Sequence, residues 1–169
     1  MGDVLIIVHP GSACGSADLN LGRQEASAAR ATLAAAIEGW EPPSIAGIIV
    51  IDGALSDELG RSAYRYLGEA IESKLDTCRA KEKISLRVWG CDDQPPHHDE
   101  AVDRLVCEKS LDPQRHRIVV TGAWRELSGE SGCVNAVADR LAGHGFEVAF
   151  DEGAVLAPSW GDEDDLSPE

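Results

Sequence analysis

Basic residues are scarce. Fifteen lysines and arginines face thirty aspartates and glutamates, giving a formal charge of −15, and only four of the fifteen are lysine. A field of that sign repels phosphate backbones and anionic lipid surfaces, so neither nucleic acid nor a membrane is expected as a partner. Long apolar runs are lacking too. The N-terminal run Val4 to Val8 has five residues where a bilayer crossing needs about 20, and no basic segment precedes it, so no signal peptide is expected. Ile6 breaks the myristoyl-acceptor pattern. The five cysteines (Cys14, Cys78, Cys91, Cys107, Cys133) form no C-x-x-C pair. That excludes a readable disulfide framework and fits reduced thiols in a cytoplasm.

What remains is ordinary for a folded protein: 43% apolar and 27% charged residues in 169, enough chain for one domain with a substantial core. That domain is expected over 1–157. The acidic end, 158–169, lacks apolar periodicity and reads as a solvated, flexible tail.

Five short apolar stretches recur: VLIIV (4–8), GIIVI (47–51), ISLRVW (84–89), RIVVT (117–121) and FEVAF (146–150). Three are nearly continuous in β-branched residues, as strands covered on both faces of a parallel sheet must be. The two that alternate, 84–89 and 146–150, suit positions nearer an edge. Between the strands lie one-sided apolar stripes at helical spacing over 23–38, 56–79, 99–109 and 131–142. Strand and helix alternate throughout, so the expected fold class is α/β: a three-layer, Rossmann-like sandwich with a five- or six-stranded, mainly parallel sheet, residues 153–157 supplying the sixth strand.

Ligands of such sheets bind beyond the carboxyl ends of the strands, which directs attention to His9, Asp52, Cys91 and the turn after Thr121. In SGESGC, Cys133 falls in the first turn of a helix, where the dipole and backbone N–H groups favour a thiolate and could hold an oxyanion. A small residue packed against the sheet would occupy the same place. Ser128 or Ser131 suits the N-cap. His9 could accept the thiol proton, and Asp52 could orient it or close a turn with Gly53. Cys14 sits in a loop with three glycines and is a lesser nucleophile. Trp124 could wall a pocket for a flat substrate. Imidazoles and carboxylates would suit a metal at His9, Asp52 and His97, but adjacent histidines point apart and a proline pair before an acid-rich helix is an ordinary boundary, so no metal or other cofactor is expected.

The stretch IVVTGAW followed by CVNAVADRLAGHGFEVAFDEGAV resembles the C-terminal part of the isochorismatase-like cysteine hydrolases, in which a strand ending in V-T-G precedes a C-V-x-A helix. The resemblance covers residues 118–156. It implies that Cys133 takes the nucleophile's place; the chain's own residues then suggest His9 as proton acceptor, Asp52 as its orienting partner, N–H groups from Ser131, Gly132 and Cys133 as the oxyanion site, and Cys14, Trp124 and His97 on the pocket wall. It implies a small amide-like metabolite as ligand and, by analogy, a homodimer. The chain departs from the family in three places. His9 stands where an aspartate is usual, no lysine follows the third strand, and the turn between Gly122 and Cys133 is longer. A non-catalytic binding or assembly module of the same fold is the alternative.

Overall fold

The computed structural model describes residues 1–10, 23–41, 44–52, 67–71, 73–74, 76, 88–90, 97–123, 125–127 and 130–156. The elements run β1 (Gly2–Val8), α1 (Arg23–Gly39), β2 (Ile45–Asp52), β3 (Val88–Gly90), α2 (His97–Lys109), β4 (His116–Ala123), β5 (Glu126–Leu127), β6 (Glu130–Ser131), α3 (Cys133–Gly143) and β7 (Val148–Leu156). Residues 67–71 are also helical, within the stripe expected over 56–79. The tail 158–169 lies outside the described residues.

The main sheet has the order β3-β2-β1-β4-β7, and every neighbouring pair in it is parallel. The chain therefore builds outward from β1 in one direction through β2 and β3, then returns to add β4 and β7 on the other side. This is an α/β fold with a parallel sheet and helices, consistent with a Rossmann-like arrangement. The continuous apolar runs form the three central strands, and the parts of the alternating runs that lie in described strands, 88–89 in β3 and 148–150 in β7, stand at the two ends of the strand order.

Central strands bury both faces, and the side-chain alternation of a strand divides them cleanly. Val4, Ile6, Val8, Ile49, Ile51, Ile118 and Val120 meet Val102 and Leu105 of α2 and Val134, Val137 and Leu141 of α3. Leu5, Ile7, Ile48, Val50 and Val119 meet Leu33 and Ile37 of α1 and the helical Leu67 and Ile71. Helices α2 and α3 thus share one face of the sheet while α1 covers the other. No helix among the described residues is long and apolar enough to cross a membrane.

At the amino edge, Asp3 and Arg117 are register partners on β1 and β4. The guanidinium donates to both carboxylate oxygens, Nε at 2.8 Å and Nη2 at 3.2 Å. A forked pair of this kind fixes the register of the two strands, and its hydrogen bond raises the Arg117 pKa above the ordinary value.

Residues 153–157 do not make a sixth strand, because those up to Leu156 continue β7. They do so past a bulge: β4 advances two residues from Val120 to Gly122 while β7 advances five, from Phe150 to Val155. Extra residues on one strand bend it away from its partner. Here the bend carries Glu152, which takes part in the site architecture below.

Candidate functional site

The chain direction switches between β1 and β4, and the connections leaving these neighbours at the carboxyl edge of the sheet go to opposite sides, the place where ligands of such sheets bind. His9 follows β1 directly. Its backbone N–H donates to Ile51 O at 2.7 Å, prolonging the strand ladder by one residue, and its φ of 46° then turns the chain sharply. Left-handed backbone at a residue with a Cβ costs about 1–3 kcal/mol and persists where surrounding structure enforces it. His9 is 2% exposed.

On the β4 side, Gly122 makes the approach possible. Its φ is +114°, and a Cβ built there would lie 2.1 Å from Val8 O and 2.7 Å from Val8 N. Only glycine lets β4 pass the end of β1 this closely.

The longer turn after Gly122 folds on itself. Strands β5 and β6 form an antiparallel pair, Glu126 opposite Ser131 and Leu127 opposite Glu130, and Gly132 N–H donates to Arg125 O at 2.8 Å. The two ends of this hairpin, Arg125 and Gly132, are thereby brought together just before the helix that follows. Arg125 also ties this hairpin to the bulge of β7, with Nη1 donating to Glu152 Oε2 at 2.6 Å and its guanidinium 4.9 Å from the centre of the Phe150 ring.

Cys133 is the first residue of α3 and is half-buried against the α2 and α3 face of the core. The N-cap is Gly132, in extended conformation and without a side-chain capping bond, in place of the serines expected from the sequence. Ser131 is exposed on β6. The Gly132 N–H, one of the expected oxyanion donors, is engaged by Arg125 O.

The third member of the site enters from α2. Its second residue, His98, is 2% exposed, and its ring stacks on that of His9 with centroids 5.2 Å apart and planes inclined by 25°. One ligand atom from each of His9, His98 and Cys133 lies within 4.8 Å of the others. From the sequence His97 is the histidine expected here, yet His98 stands beside His9, and the His97 side chain lies outside the described residues. The helical stripe carried the signal: His98 precedes Val102 by four positions and Leu105 by seven, and so falls on the inward face they define.

Asp52 ends β2, pairing with Gly90 one residue beyond Ile51, which accepts the His9 N–H. It therefore shares the carboxyl edge with His9, while its side chain, Cys14 and Trp124 lie outside the described residues. A cavity of about 540 Å³ opens at the end of α1 and the β7 edge beside Trp40, Arg117 and Phe150. None of the three clustered residues lines it.

A surface clasp holds α2 to α3 behind the site. Asp103 accepts from Arg140 Nε at 2.8 Å and Nη2 at 2.6 Å, and lies 2.7 Å from His144 Nε2. Those bonds, the Arg140 one first, hold the Asp103 carboxyl far below the usual carboxylate range. A carboxyl depressed in the fold stabilises the fold above its unfolded value, near 3.9, and loses that contribution as pH falls toward the folded value. The wild-type protein should therefore exceed Asp103→Asn in urea midpoint at pH 7, with the gap shrinking progressively below pH ~4. Solvent exposure keeps the gap small. A gap independent of pH would contradict the clasp.

No family model, curated protein or solved structure matches the chain.

Proposed function

We propose that the chain is a cysteine hydrolase related to the isochorismatase-like enzymes, acting on a small neutral or cationic amide-like metabolite. The observation that supports this most is the meeting of Cys133 and His9 at the switch between β1 and β4, within 4.8 Å of one another. The first turn of α3 contains no acidic residue, so the positive end of its dipole favours negative charge on the sulfur.

In this reading His9 takes the Sγ proton and the thiolate attacks the acyl carbon. The C–S bond forms as the carbonyl pair moves to oxygen. Collapse of that oxyanion breaks the C–N bond, and the leaving amine takes the proton from His9. Water, giving a proton to His9, then attacks the thioester; the acid departs and the sulfur recovers its proton. Asp52 orients His9, and Cys14, Trp124, Ser131 and His97 shape the pocket. The −15 charge of the chain disfavours anionic substrates. A reducing cytoplasm suits Cys107 and Cys133, neither of which is in a disulfide, and a homodimer is the assembly proposed.

The alternative, a non-catalytic binding or assembly module, is favoured by one feature: the Gly132 N–H is already engaged. A panel of small amides and activated esters separates the two. The hydrolase reading expects an acyl adduct on Cys133 by mass spectrometry, loss of adduct and turnover in Cys133→Ala, and a fall of roughly 10²–10⁴ in rate in His9→Asn. If no adduct forms, and iodoacetamide labels Cys133 no faster than the exposed Cys107, the binding module is the better account.

A further inference from the structure

The hydrolase reading leaves His98 without a task, although its ring is as deeply buried as that of His9. We infer that His9, His98 and Cys133 together form a binding site for a borderline transition-metal cation of the Zn²⁺ class.

The donor set comes first. Two imidazoles and a thiolate suit zinc and its neighbours, whereas magnesium and calcium require oxygen ligands. No carboxylate belongs to the trio. Geometry comes second. With bonds of about 2.0–2.1 Å to nitrogen and 2.3 Å to sulfur, tetrahedral ligand atoms stand roughly 3.3–3.6 Å apart. The three atoms already lie within 4.8 Å of one another, near that spacing before any ion is bound.

The third consideration is how the ligands are held. Each comes from a different connection: the end of β1, the first turn of α2 and the first residue of α3. All three elements pack into the same core cluster, Val8 from β1, Val102 from α2 and Val134 from α3. The His9 Nε2 atom and both ring nitrogens of His98 are sealed from solvent. Three ligands set on a packed scaffold leave the fourth coordination position to water or a small molecule. Binding converts the Cys133 thiol to a metal-bound thiolate and releases its proton to the buffer. The bound sulfur is then withheld from attack, so metal occupancy and thiol chemistry exclude one another.

The test uses the full, untagged chain, stripped with a chelator and titrated with Co²⁺ alone. The expected result is one Co²⁺ per chain with a thiolate-to-cobalt charge-transfer band, displaced by Zn²⁺. Cys133→Ser removes the band, and His98→Ala and His98→Gln each weaken binding by at least about tenfold, with circular dichroism showing that each variant is folded. Zn²⁺ protects Cys133, but not Cys107, from iodoacetamide. Absence of the band, or a band that survives Cys133→Ser or both His98 variants, overturns the inference. The outcome is independent of hydrolysis: a protein that binds the metal but forms no acyl adduct contradicts the hydrolase alone, and one that forms the adduct but binds no metal contradicts this site alone.

Discussion

Gly122→Ala should lose about 2–6 kcal/mol of folding stability, and His9 should lose its place with it. Two effects act together. The φ of +114° strains any residue with a Cβ, by about 1–3 kcal/mol. The added methyl would also meet Val8 O at 2.1 Å, Val8 N at 2.7 Å and Val8 C at 2.9 Å. All three are backbone atoms in the centre of the sheet and cannot swing aside, so overpacking costs about another 1–3 kcal/mol. Relief would require β1 and β4 to separate at the residue before His9. Gly143→Ala is the matched control: Gly143 closes α3, and a methyl added to it would meet nothing within 4 Å, so the change should be neutral or stabilising by at most about 1 kcal/mol. Urea titrations of the two variants measure the contrast. A Gly122→Ala protein with the wild-type midpoint would show that the strands do not approach as described.

The second large effect concerns the order of the strands. Ile6→Ala should cost about 2–5 kcal/mol, toward the upper end because Ile6 is fully buried on the strand flanked by β2 and β4. Val148→Ala should cost only about 1 kcal/mol, since Val148 is partly buried on the edge strand β7. Similar losses at the two positions would place β1 at an edge and dissolve the switch point on which the site depends.

Much of this architecture is legible in the sequence because the burial of parallel strands leaves a direct trace. Unbroken β-branched runs such as VLIIV mark strands covered on both faces, and FEVAF alternates because an edge strand is covered less completely. The meeting of His9 and Cys133 is legible for a related reason, since both follow strands that alternation and right-handed crossovers bring to one edge. The separate strand expected from residue 153 fails because a bulge leaves no compositional mark distinct from a turn: DEGA reads as a loop, yet β7 runs on through it. The capping serines fail because β5 and β6 take up Ser131, leaving Gly132 as the last extended residue. Choosing between His97 and His98 requires continuing the stripe of Val102 and Leu105 one turn toward the N-terminus, past the point where acidic residues suggest that the helix begins. The role of Gly122 lies beyond sequence patterning, for it depends on a contact with Val8, far earlier in the chain, that only the packed sheet creates.

The meeting of a thiol with imidazoles from separate connections is the feature on which both proposals rest, hydrolysis through His9 and metal binding through His9 and His98 together. The bifunctional reagent 1,3-dibromoacetone tests it most directly, because it alkylates a thiol first and then bridges to an imidazole only if one stands close by. Peptide mapping by mass spectrometry should find Cys133 bridged to His9 or His98, with one reagent per bridged site. A Cys133 that carries only a single unbridged adduct, or that stays unmodified while Cys107 reacts, would contradict the account.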